Sequence, residues 1–128
     1  MTTEVNPFAP LAGEEFVVLT TYRRSGEAMP TTVWFAERDG KVYITTNERA
    51  GKVKRIRANP QVTLAASDRI GTIHGPAVPG YARVLSATEA SIANEALHAK
   101  YGEVYANAIR QMDAGGMNGL RVFIEVRS

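Results

Sequence analysis

The sequence predicts a mainly β fold with some helix: a small barrel of mostly antiparallel strands carrying short peripheral helices. Short runs of β-branched and aromatic residues recur between Phe16 and Val126, turns containing Gly separate the first of them, and helical spacing is confined to two stretches. The predicted order is β-β-β-α-β-β-α-β. Closing such strands into a barrel removes the exposed edges that an open antiparallel sheet would leave.

Residues Pro7 to Glu15 are a lead-in with two prolines and room for one irregular helical turn. Phe16 to Tyr22 is the first strand, and Gly26 turns the chain. The second strand runs from Met29 to Glu37, with Met29, Thr31, Val33 and Phe35 on one face and Thr32, Trp34 and Ala36 on the other. Asp39-Gly40 is a tight-hairpin signature, so Lys41 to Thr46 is the third strand. A short helix follows and ends near Asn59, because Pro60 disfavours helical backbone in the residue before it. Gln61 to Ser67 is the fourth strand. After a polar turn at Asp68 to Gly71, further strand is expected over Thr72 to Ala77 and Val78 to Leu85, with Gly80 at a bulge or close approach. Ser86-Ala-Thr-Glu89 reads as a capping box, opening a helix to about Lys100 with Ile92, Ala96 and Leu97 at core spacing. Gly102 interrupts, Val104 to Met112 is a second helical piece, Asp113 to Gly119 a Gly-rich loop, and Leu120 to Val126 the last strand.

With 128 residues and no break in composition, the chain is expected to form one domain, residues 1–128, with a sizeable core. The absence of Cys excludes disulfides, thiolate nucleophiles and cysteine-ligated metals, and no metal-ligand spacing stands out. The N-terminus has neither a basic n-region nor an apolar h-region, and no apolar run is long enough to span a membrane, so a cytoplasmic protein is expected. A net charge of only +2 argues against nucleic acid as a partner.

Basicity is instead local. Arg49, Lys52, Lys54, Arg55 and Arg57 place five of the 15 Lys and Arg within nine residues, with no Asp or Glu among them. Val53 and Ile56 share a helix face that can dock on a core, while Arg49, Lys52 and Arg55 line a flank. The cluster is therefore either an anion site or a solvated basic face. A helix start adds free N–H groups and the positive end of the macrodipole, which favours a phosphate near Lys52.

Thr20 to Gly26, Pro30 to Phe35, Gly51 to Pro60 and Gly75 to Val78, in this order and spacing, resemble the pyridoxamine-phosphate-oxidase-like split β-barrel proteins, and more closely the deazaflavin-dependent oxidoreductases. Lys100-Tyr101-Gly102 and the last strand are also similar. The resemblance implies a homodimer with two interface sites, each holding coenzyme F-420, whose phosphate and glutamyl tail the basic helix grips. Carried over by position, it implies Lys52 as the main phosphate ligand, assisted by Arg55 and by Arg49 or Lys54, with Thr45, Thr46 and Asn47 lining the pocket. Thr32, Val33, Trp34 and Phe35 correspond to the strand along the deazaflavin ring. Close relatives have Pro where this chain has Thr32; the change adds a backbone donor that either bonds the ring's carbonyl edge or alters which cofactor fits.

The expected activity is hydride transfer from reduced coenzyme F-420 to an electron-poor acceptor such as an enone or a quinone, with catalytic residues unassigned. Such chemistry needs no nucleophile elbow or paired carboxylates, because the reactive carbon belongs to the cofactor. Tyr22, Trp34 and His74 are candidates for proton donation or substrate stacking, and nothing in the sequence selects among them. Competing readings are an FMN-dependent oxidase or reductase on the same barrel, and a non-catalytic binder of a flavin, haem or other acidic ligand.

Overall fold

In the computed structural model, which describes residues 6–114 and 121–128, seven strands run at Phe16–Tyr22 (β1), Ala28–Trp34 (β2), Ala36–Arg38 (β3), Lys41–Asn47 (β4), Gln61–Ser67 (β5), Val78–Val84 (β6) and Arg121–Arg127 (β7). Helices occupy Gly51–Ala58 (α1), Ala90–Tyr101 (α2) and Glu103–Ala114 (α3), and a 3-10 turn Ala9–Leu11 precedes β1. All pairings are antiparallel, in the sheet order β2-β1-β5-β6-β7-β4-β3.

The second predicted strand is one extended run with two partners. Residues of β2 pair with β1, from Tyr22↔Ala28 to Phe16↔Trp34, whereas β3 pairs with β4, from Ala36↔Tyr43 to Arg38↔Lys41. Only Phe35 separates them, yet they lie at opposite ends of the sheet order. The chain thereby carries the sheet round on itself and closes the barrel. Closure is partial, because β4 has no partner on this side past Tyr43 and β2 has none on its outer edge among the described residues. Residues 29–34 and 44–47 are thus two strand edges with no ladder between them, the split of the barrel.

Alternation along the strands sorts side chains into two cores. Val17, Leu19, Phe35, Val42, Ile44, Val62, Leu64, Ile124 and Val126 fill the barrel, joined at one end by Ile56 of α1. Fully burying an aliphatic side chain contributes about 1.5–3 kcal/mol, so Ile56 and the equally buried Val53 are enough to seat this helix. On the outer face, α2 and α3 cover Ala36, Tyr43 and Phe123 with Ala93, Ala96, Leu97 and Tyr105.

Several expectations need correction. Thr72 to Ala77 forms no strand beyond an isolated bridge between Ser67 and Ile73. The Asp68 carboxylate accepts the N–H groups of Ile70 (3.0 Å) and Thr72 (2.9 Å), a turn that takes the place of ladder bonds, and Pro76 has no N–H to offer. Ile92 is exposed, and Ala93 takes the core position with Ala96 and Leu97. The capping box is half formed. Glu89 accepts the Ser86 N–H at 3.1 Å, but the Ser86 hydroxyl meets the side chains of Thr88 and Glu89, and the helix begins at Ala90. The single α of the predicted order before the last strand is two helices, because Gly102 turns the chain at φ 60°. Residues 115–120, including Gly115-Gly116 and Leu120, lie outside the described residues.

Candidate functional site

The basic stretch becomes α1, which starts immediately beyond β4 and packs across one end of the barrel. Two of its cations reach inward-facing threonines. Lys52 Nζ donates to Thr46 Oγ1 of β4 at 3.2 Å, and Arg55 Nε donates to Thr21 Oγ1 of β1 at 2.6 Å. Gly51 leaves room for the Arg55 guanidinium, since a Cβ there would stand 2.6 Å from Nη1. The pair therefore stands at the end of the split, Lys52 on its β4 side and Arg55 on its β1–β2 side.

Among the described residues, Arg49, Lys52, Lys54, Arg55 and Arg57 form no ion pair. Desolvation, and then repulsion from Arg55, hold the Lys52 ammonium below the ordinary lysine pKa. The first turn of α1 contains no acidic residue, and its N-cap, Ala50, supplies no side-chain acceptor. Free N–H groups and two adjacent cations together make an anion-attracting surface.

The other predicted residues divide between the two faces of the split. Thr45 donates from its hydroxyl to the Val122 carbonyl at 3.1 Å, tying β4 to β7, and the Asn47 side chain accepts the Arg49 N–H at 2.8 Å, bracing the turn into α1. Arg49 itself is exposed. Thr32 lies against the Asp68–Gly71 turn, where a Cβ on Gly71 would approach its hydroxyl to 2.7 Å. Val33 packs against the barrel core. The Trp34 ring stacks on Tyr101 with centroids 4.8 Å apart, within the outer core. Phe35 is buried in the barrel core. His74 is held by Glu14, Nε2 to Oε1 at 2.5 Å.

Sequence reading gave no site role to Thr21, Lys100 or Tyr101, although Lys100-Tyr101-Gly102 is part of the family resemblance. Thr21 had a signal, a polar residue in register with inward-facing Val17 and Leu19. Lys100 and Tyr101 end α2 at the point where the strand changes partners. Tyr101 Oη accepts the Phe35 N–H at 3.0 Å and shares its own proton between the carbonyls of Phe35 (2.8 Å) and Glu15 (2.7 Å). Lys100 Nζ donates to the carbonyls of Glu14 (2.6 Å) and Phe35 (2.8 Å) and sits 3.4 Å from the centre of the Phe35 ring. Burial pushes the Tyr101 phenol up to about 12, and desolvation brings the Lys100 ammonium down to about 8.

The profile of pyridoxamine 5'-phosphate oxidase matches residues 1–128. The chain belongs to that family. No curated protein matches it. Solved structures similar to this pyridoxamine 5'-phosphate oxidase family member include a conserved hypothetical protein from Mycobacterium tuberculosis, 22% identical with a TM-score of 0.66 over 98% of this chain and 79% of that one. The haem storage protein HutZ from Vibrio cholerae is 10% identical, with a TM-score of 0.67 over 90% and 82% of the two chains. An F420-H2 dependent reductase is 19% identical, with a TM-score of 0.61 over 88% and 94%. At these identities the likeness establishes the fold: the antiparallel barrel with peripheral helices is a split barrel of this family.

Proposed function

We propose that this chain is an oxidoreductase that uses reduced coenzyme F-420 to reduce an electron-poor organic acceptor. The observation that carries the reading is the pair Lys52 and Arg55, held at the end of the split by threonines of two strands, beside a helix start without a side-chain cap and in no ion pair among the described residues. A phosphate-bearing, multiply acidic ligand fits that chemistry. The similarity to an F420-H2 dependent reductase supports the choice of deazaflavin over FMN, which the family fold also suits.

In this reading Lys52 and Arg55 bind the phosphate, with Thr46 and Thr21 fixing their ammonium and guanidinium groups. Thr45 lines the pocket from β4, Asn47 shapes the turn that delivers α1, and Thr32 to Phe35 lie along the ring. When bound, the deazaflavin supplies the hydride-donating carbon. The protein orients it and excludes water, so few catalytic side chains are required. The site is completed in a homodimer, as the family resemblance implies; Pro79 and Tyr81 on the outer face of β6 are exposed in the single chain. A second reading, a haem or flavin binder without turnover, is favoured by the similarity to HutZ.

Substitution tests the assignment. Replacing Lys52 or Arg55 by Ala is expected to weaken F-420 binding by about 1.5–3 kcal/mol, roughly 10- to 150-fold, measured by cofactor fluorescence titration. Unchanged affinity in both variants sinks the site.

A further inference from the structure

We propose that Lys100 and Tyr101 are positioning residues for the ligand site: they take the place of the missing strand neighbour at Phe35 and so fix how β2 stands relative to β4. Phe35 is the single residue between the two pairings, so no ladder supplies partners for its backbone groups. A buried amide without a partner is disfavoured, and an unsupported crossover would be free to change angle. The Tyr101 hydroxyl serves as acceptor for the Phe35 N–H and as donor toward its carbonyl, which Lys100 also binds. Each group is held independently. The Tyr101 ring is stacked on Trp34, and the Lys100 ammonium is seated between the Glu14 carbonyl and the Phe35 ring.

Trp34, Val33 and Thr32 immediately precede this fixed point, and Thr45 to Asn47 stand across the split on the strand with which β3 pairs. A change of angle at Phe35 therefore alters the separation of the two walls. The ligand part of this inference rests on the reading that the cofactor lies along the split.

The test combines an observation on ligand-free protein with an affinity comparison. Tyr101→Phe keeps the ring and removes the hydroxyl. Amide hydrogen exchange is expected to show the Phe35 N–H losing its protection while Leu19 and Leu64 keep theirs. Coenzyme F-420 affinity is then compared in Tyr101→Phe, Lys100→Met, Lys100→Arg and Val62→Ala, the last being a destabilised barrel variant that leaves the crossover intact. Loss of about 5- to 30-fold is expected for the first two, partial recovery for Lys100→Arg, and about twofold or less for Val62→Ala. An unchanged Phe35 amide overturns the proposal, and so does an affinity loss in Val62→Ala equal to that in Tyr101→Phe, which would reduce the role to stability. If the wild type binds neither F-420 nor FMN, the ligand reading fails and the positioning role falls with it, while the exchange data still report separately on the crossover.

Discussion

At the scale of single residues, burial strips solvent from the cations of the site and of its support: Lys52 is desolvated, and so is Lys100, although Glu14, Glu15 and Glu37 lie near it. Lys100 gives the most direct check. Its folded pKa of about 8 lies below the ordinary 10.5, so between these values the unfolded chain keeps a proton that the folded chain has released. Stability should therefore rise with pH across that window. Tyr101 acts in the opposite sense: its pKa is raised from 10.0 to about 12, so stability is lost as pH climbs through that range. Urea denaturation from pH 8 to pH 10 should show a shallower rise in Lys100→Met than in the wild type. Equal slopes contradict the placement of the ammonium. The Lys52 shift has the same sign and leaves a residual slope in the variant. Sequence made the basic residues visible because charge density is local. It did not reveal that Thr21 would meet Arg55, since those positions lie 34 residues apart and join only through the packing of α1 on the barrel end.

At the scale of elements, local signals performed well at the first hairpins and strands and less well at the Asp68 turn and the Ser86–Glu89 box. Asp39 and Gly40 both take positive φ, 54° and 75°, as the two-residue hairpin requires, and β1 and β5 have the predicted bounds. Signals failed where a distant partner decides. Nothing in Met29 to Glu37 marks Phe35 as the point of changed pairing, because the marker is the end of α2. Gly80 illustrates the intermediate case, where the sequence suggests a close approach and the structure supplies the neighbour. A Cβ there would stand 2.7 Å from Val126 Cγ1 and 2.9 Å from the Arg127 carbonyl oxygen. Gly80→Ala should therefore force β6 away from β7 and cost about 1–3 kcal/mol of stability in chemical denaturation. A neutral result contradicts the tight register between these strands.

At the scale of the whole molecule, a curled sheet closed by one residue leaves a split, and α1 sets an electropositive pair at its end. Fold class was legible because strand runs, hairpins and the helix–strand order all agree. Of the candidate site, the sequence named Lys52, Arg55, Thr46, Trp34 and Phe35 but not their neighbours: Lys52 meets Thr46, Arg55 meets Thr21, Trp34 stacks on Tyr101, and Phe35 is buried. Among the described residues no helix is long and apolar enough to cross a membrane. The central claim is that the Lys52–Arg55 end of the split receives the phosphate of a deazaflavin. Its most direct measurement is a parallel titration of ligand-free protein with coenzyme F-420 and with FMN, followed by Trp34 and cofactor fluorescence and repeated with Lys52→Ala. Micromolar or tighter F-420 binding, weaker FMN binding and loss of affinity in the variant are the predicted result. Preference for FMN, or F-420 binding indifferent to Lys52, would contradict it.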